Sequence, residues 1–201
     1  MQKVELEEID KVSLYLSKIP GIGLKSAKRY AIWLGEHKKY TKELTSALND
    51  LVEHVSSCKK CFNLTTSSDK ICSICKDNSR DKSTICVVQS LENLVEIEQS
   101  NVYNGFYFVL GGVISPIYNT DNILKRIEYL KMRVKEENIR EVILAISSTT
   151  EGELTIQYIK EQLRSFNTRI SKVAIGVPIG TDINYVDKRT LAEALRSRVY
   201  I

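Results

Sequence analysis

Cys58-Lys59-Lys60-Cys61 and, after ten residues, Cys72-Ser73-Ile74-Cys75 divide the chain into parts of different patterning. Residues 58–80 show neither helical nor strand periodicity and are rich in Ser, Thr, Asp and Lys. A segment with so little apolar content does not fold by burial alone. Its four soft thiolates, set as two knuckles, match the tetrahedral four-sulfur coordination of structural Zn²⁺. All four positions are then filled by protein, which leaves no open place for a reactive water. An iron–sulfur cluster or a redox pair is the competing reading. Without a recognisable secretion signal, paired knuckles point to metal rather than disulfides. His54 is expected on a helix surface. Cys86 lies in an apolar run and is expected to be a buried free thiol.

Three helices are expected before the cysteines. Ile9, Val12, Leu16 and Ile19 recur at helical spacing, as do Leu24, Ala27, Ala31 and Leu34, and then Leu44, Leu48, Leu51 and Val55. Ile19-Pro20-Gly21-Ile22-Gly23 separates the first two, because proline cannot continue a helix and glycine permits a tight, partly left-handed turn. The expected product is a helical hairpin. Gly21 and Gly23 let backbone N–H groups approach a ligand, and the positive end of the next helix faces the same way, an arrangement that binds phosphate. Lys25, Lys28 and Arg29 follow in the first turns. From Lys18 to Lys42 there are seven bases and one acid, Glu36. Such a patch suits nucleic-acid backbone contact that is blind to base sequence and sensitive to salt. A solvated helix face with a plain connecting turn is the alternative.

After the cysteines, apolar runs alternate with amphipathic stretches. Strands are expected at Thr84–Val88, Tyr107–Leu110, Glu141–Ile146 and Ile170–Ile175, and helices at Leu91–Gln99, Asn122–Glu137, Glu151–Arg164 and Asp187–Arg198. The alternation implies a parallel sheet with helices on its faces. Catalysis would be expected at the carboxyl ends of the strands. A Mg²⁺ site there needs converging carboxylates. The first such loop offers the amides Gln89 and Asn93, with Glu92 as its one charge. Thr150-x-x-Glu153 reads as a helix capping box. Both histidines lie among the N-terminal helices, so the sheet is expected to be a scaffold without an active site.

The 201 residues hold 29 Lys+Arg against 25 Asp+Glu, and 43% hydrophobic content suffices for a core. Residues 1–80 carry 14 bases and 10 acids, whereas residues 81–201 carry 15 of each. The excess positive charge thus sits wholly in the first part. The longest apolar run, Phe106–Ile114, falls far short of the roughly 20 residues of a membrane-spanning helix. The opening MQKVELEEID has no apolar run, so neither a signal peptide nor a membrane partner is expected, and the expected location is cytoplasmic.

The order of modules resembles the bacterial RecR family of recombination mediators, over nearly the whole chain. Ile19-Pro20-Gly21-Ile22-Gly23-Leu24-Lys25-Ser26-Ala27 resembles its helix-hairpin-helix, the four cysteines its zinc finger, and Ile85-Cys86-Val87-Val88 the start of its Toprim domain. Leu110-Gly111-Gly112 with Ser115-Pro116, Glu151-Gly152-Glu153 with Thr155 and Tyr158, and Gly176-x-Pro178-x-Gly180 with Tyr185 and Asp187 continue the pattern. The resemblance implies an α+β multidomain chain: a helix-hairpin-helix domain at 1–57, a four-cysteine zinc finger at 58–80, and a Toprim-like α/β domain with a C-terminal helix at 81–201. It further implies a non-enzymatic role in DNA repair, homo-oligomers such as a tetrameric ring or a dimer, RecO and RecF type partners, and help in loading recombinase on single-stranded or gapped DNA. Lys25 and Arg29 match the hairpin's DNA-contacting bases. Gln89 and Asn93 stand where the family usually has Glu and Asp; with Glu151 they mark a Toprim-like partner surface with weakened capacity for Mg²⁺. The alternatives are a Mg-dependent Toprim nuclease or topoisomerase-like enzyme using Glu92 and Glu151, and a zinc-stabilised adaptor that binds only protein.

Overall fold

The computed structural model describes residues 6–199, so residues 1–5 and 200–201 of the expected terminal domains lie outside the described residues. The chain falls into two compact units divided between Ser56 and Ser57.

The first unit is three helices, α1 (Glu7–Leu16), α2 (Leu24–Glu36) and α3 (Lys38–His54). Gly21 turns the chain between α1 and α2 at φ +83°, in the left-handed region that favours glycine, and the Ile22 N–H donates to the Ile19 carbonyl at 3.1 Å. The close approach of these helices rests on small residues. Ser13, Ala27 and Ala31 are buried between them, and a Cβ at Gly35 would lie 3.1 Å from Ile9 Cδ1. The third helix forms as its spacing predicts, but its apolar stripe stays uncovered in the single chain. No α3 residue is buried, and Leu48 and Leu51 are more than half exposed.

The second unit is built on four parallel strands, β3 (Asp81–Val88), β4 (Gly105–Val109), β5 (Glu141–Ala145) and β6 (Arg169–Lys172), in the order β4-β3-β5-β6. Strand alternation sorts the core into two layers. Ile85, Val87, Phe106, Phe108, Val142 and Leu144 face α6 (Asp121–Glu136) and α7 (Thr150–Leu163). Cys86, Val88, Tyr107 and Val109 face α5 (Leu91–Gln99). Residues 183–185 form a 3₁₀ turn before the last helix. Cys86 is buried, as expected, and burial pushes its thiol up to about 12. The last strand is shorter than its apolar pattern suggests, ending at Lys172, with Val173 half exposed.

The N-terminus of α7 differs from expectation. Thr149, not Thr150, is the capping residue, and its hydroxyl accepts from the Gly152 N–H at 3.1 Å. Glu153 is thereby freed to pair with Lys172 of β6. A complete capping box occurs instead on α5. There the Ser90 hydroxyl accepts from the Asn93 N–H at 3.4 Å, and the Asn93 side chain accepts from the Ser90 N–H at 3.2 Å.

The cysteine segment is part of this unit. It begins with a two-residue ladder, β1 (Ser56–Ser57) with β2 (Leu64–Thr65), and includes the single-turn helix α4 (Ser73–Lys76). It lies on the outer edge of β4, where the Val109 N–H donates to the Cys61 carbonyl at 2.8 Å. The edge carbonyls of β4 go to three arginines: Gly105 to Arg80, Tyr107 to Arg133 and Val109 to Arg126, each at 3.1 Å. Arg133 is 4% exposed, donates also to the Lys60 carbonyl at 3.1 Å, and pairs with Glu137 at 3.0 Å.

Arg133→Met keeps the buried length but leaves the Lys60 and Tyr107 carbonyls without a donor. We expect a loss of about 2–4 kcal/mol, read as a lower urea midpoint with unchanged slope.

Candidate metal centre and nucleic-acid interface

The four cysteine sulfurs lie within 4.8 Å of one another, with Cys61 and Cys72 at 3.5 Å. A tetrahedral zinc with Zn–S bonds of about 2.3 Å sets its sulfurs about 3.8 Å apart, so the donor set fits the ion. Two tight knuckle turns create the convergence. The Phe62 N–H donates to the Cys58 carbonyl at 3.0 Å with Phe62 at φ 61°, and the Lys76 N–H donates to the Cys72 carbonyl at 3.1 Å. The Cys72 N–H donates to Cys58 Sγ at 3.3 Å, the type of contact that stabilises a thiolate.

Cys58, Cys61 and Cys72 are buried and Cys75 is half-buried. Four adjacent thiols cannot all ionise unaided. Hydrogen bonds from Cys61 and Cys75 hold Cys72 below the ordinary thiol range, while the hydrogen bond to Cys72 pushes Cys61 up. A divalent cation bound by Cys58, Cys61, Cys72 and Cys75 would remove this conflict by favouring the thiolates. His54 takes no part in the cluster; its Nδ1 donates to the Asp50 carbonyl at 2.9 Å.

Phe62, which follows the second cysteine, anchors the centre to the sheet. Its ring meets Phe108 and Tyr129 edge to face at 5.4 and 5.5 Å, and the Arg126 guanidinium lies 4.5 Å from its centroid. Desolvation lowers the Arg126 pKa from its ordinary value. Neither Phe62 nor the arginines carried a sequence signal, because their importance lies in contacts with distant strands.

In the first unit, Gly21, Gly23 and Lys25 are exposed where α2 begins, and no side chain caps that helix. A Cβ at Gly21 or Gly23 would meet nothing within 4 Å, so the approach to the backbone is open. Gly23 has φ −76°, which other residues adopt freely. Lys25 and Arg29, four residues apart, share a helix face. The Arg29 guanidinium lies 5.3 Å from the Tyr30 ring centroid. Lys28 instead pairs with Asp10 at 3.2 Å, both side chains exposed. The three expected bases are therefore not equivalent.

At the carboxyl ends of the strands, Gln89 Oε1 accepts from Ser147 Oγ at 2.9 Å, linking the loops after β3 and β5. Asn93 is occupied in the α5 capping box. Glu151 is in the first turn of α7, where an acid complements the helix dipole. Glu92 is exposed, and its carboxyl is held below the ordinary range by a hydrogen bond from Ser90. Among the described residues, three or more His, Cys, Asp or Glu side chains converge only in the cysteine cluster.

The parallel sheet with helices on its faces and the attached four-cysteine centre define an α/β protein with a metal-binding knuckle. A family model described as Toprim domain matches residues 83–174, and one described as RecR, C-terminal, matches residues 176–199. A Recombination protein RecR of Porphyromonas gingivalis is 39% identical over 199 residues, covering 98% of this chain and 95% of its own length. Those of Gloeobacter violaceus and Rhizobium leguminosarum bv. trifolii are 40% identical over 185 residues and 37% over 201, covering 92% and 100% of this chain and 93% and 99% of their own lengths. The chain belongs to the RecR family of recombination proteins. Among the described residues no helix is long and apolar enough to cross a membrane.

Protein purified without chelator is expected to carry one zinc per chain, measured by atomic emission. Cys61→Ser should lose most of it. Because zinc competes with protons for the thiolates, occupancy should fall as pH is lowered, with release followed by a chromogenic chelator.

Proposed function

We propose that the chain is a DNA-binding recombination mediator that acts by assembly rather than by chemistry. The observation that carries this reading is the open turn Gly21–Gly23 leading into a helix whose exposed Lys25 and Arg29 form no ion pair among the described residues. Backbone N–H groups at the start of α2 take one phosphate, and the two long cations reach its neighbours. Lys28, drawn toward Asp10 by a solvent-exposed ion pair, contributes less.

The four cysteines hold a structural Zn²⁺. Their role is to fold residues 58–80, the segment that in sequence joins the helix-hairpin-helix domain, residues 1–57, to the Toprim-like domain, residues 81–201. The loops after β3 and β5, with Gln89, Asn93 and Glu151, offer a partner surface to RecO and RecF type proteins. The hydrogen-bonded amides support recognition there rather than metal-assisted hydrolysis, so the chain is not an enzyme. Its work would be helping to load recombinase on single-stranded or gapped DNA in the cytoplasm.

The uncovered stripe of α3 and the exposed C-terminal residues Ile179, Tyr185 and Leu195 support a homo-oligomer, a dimer or a tetrameric ring. An oligomer uses each modest basic patch several times, so avidity supplies what one net charge of +4 does not.

Lys25→Glu with Arg29→Glu is expected to abolish binding of a labelled oligonucleotide at low salt, while circular dichroism and zinc content stay unchanged. Lys28→Glu should cost several-fold less. For the native protein, log Kd should rise with log salt by roughly 0.7 to 0.9 per phosphate contacted. Binding independent of salt, or a double variant with unchanged affinity, would overturn the reading in favour of a protein-only adaptor.

A further inference from the structure

The corner between α2 and α3 carries an aromatic cluster that the phosphate-binding turn does not use. Trp33 stacks on His37, with centroids 4.1 Å apart and planes 17° from parallel, and Tyr40 meets the indole edge-on at 5.1 Å and 75°. The corner is fixed from within. His37 Nδ1 donates to the Trp33 carbonyl at 2.8 Å, and the Thr41 hydroxyl donates to the Leu34 carbonyl at 2.6 Å. An aromatic group held this firmly is normally part of a core. Here Trp33 is 42% exposed and Tyr40 50%.

Charge selects the occupant. Residues 29–42 contain Arg29, Lys38, Lys39 and Lys42 against the single acid Glu36. Lys38, Lys39 and Lys42 are exposed, and none has an ion-pair partner among the described residues. A protein partner would need a matching acidic rim. A single-stranded nucleic acid supplies both requirements at once: bases with apolar faces to stack and phosphates to meet the cations. Duplex DNA supplies only the phosphates, since its bases are already stacked. Preordering of Trp33 by His37 lowers the entropy lost when a base adds to the stack.

We infer that Trp33 and Tyr40, with Lys38 and Lys39, form a base-stacking platform for single-stranded DNA, so that the chain binds unpaired strands more tightly than duplex. This rests on the DNA-binding reading above and adds a second contact on the same helical unit. The hairpin turn grips backbone of either kind, and the aromatic corner discriminates between them.

Trp33 is the only tryptophan of the chain, so its fluorescence reports on the platform directly. Titrating (dT)20 into the full-length protein should quench it, whereas a 20-base-pair duplex should leave it nearly unchanged. By anisotropy of labelled strands, Trp33→Ala should weaken (dT)20 binding by about five- to 100-fold, leave duplex binding unaltered, and be largely rescued by Trp33→Phe. Strand binding without quenching, or equal losses for both ligands, would overturn the platform while leaving the hairpin reading standing. Failure of the Lys25 and Arg29 double variant to alter duplex binding would instead overturn the hairpin reading. A concentration-dependent blue shift without DNA, with a smaller assembly for Trp33→Ala in light scattering, would reassign the corner to a second copy of the chain.

Discussion

The outer edge of β4 is the constraint on which the second unit depends. A parallel sheet leaves such an edge with unsatisfied carbonyls and N–H groups that invite pairing with another chain. Arg80, Arg126 and Arg133 take the carbonyls of Gly105, Val109 and Tyr107, and the Cys61 carbonyl takes the Val109 N–H. Charged donors make strong bonds to such carbonyls, and their positive charge discourages further strand addition. The edge is therefore closed without another strand, by side chains from the metal segment's far end and from α6, and by one backbone group of the knuckle.

This closure makes the metal segment and the sheet interdependent. The knuckle has too few apolar residues to fold alone, yet its turn positions Phe62 against Phe108 and its Lys60 carbonyl against Arg133. In return, Arg133 is tolerated inside the protein because its Nη1 donates to two carbonyls and its Nε to Glu137. The helical unit follows another logic. Its helices approach through Ser13, Ala27 and Ala31, so small residues occupy the buried contact while Ile9, Leu16 and Leu34 are only half-buried beside it. Its exposed surface keeps Trp33, Tyr40, Leu48 and Leu51 accessible to solvent.

The same economy marks the carboxyl ends of the strands. Gln89 and Asn93 are each committed to hydrogen bonds that tie loops and cap α5. Amides in these places stabilise the local structure without bringing the charge repulsion of a carboxylate cluster. The excess positive charge meanwhile lies in the first 80 residues, away from these loops in the sequence.

Much of this was legible in the sequence because it depends on local periodicity and spacing. The two C-x-x-C knuckles announced a four-sulfur centre, the Pro-Gly-x-Gly turn announced the hairpin, and alternating apolar runs announced a parallel sheet with element ends close to those observed. The sequence also showed where positive charge collects. It did not distinguish Thr149 from Thr150 as the α7 cap, since either threonine suits a capping position and only the start of the helix in the folded chain separates them. It did not show that Lys28 is paired with Asp10, 18 residues away, or that the α3 stripe stays uncovered. Above all, the roles of Arg80, Arg126, Arg133 and Phe62 were decided by tertiary structure. A periodicity records which face of an element is apolar, but an edge carbonyl finds its donor only when distant segments have packed.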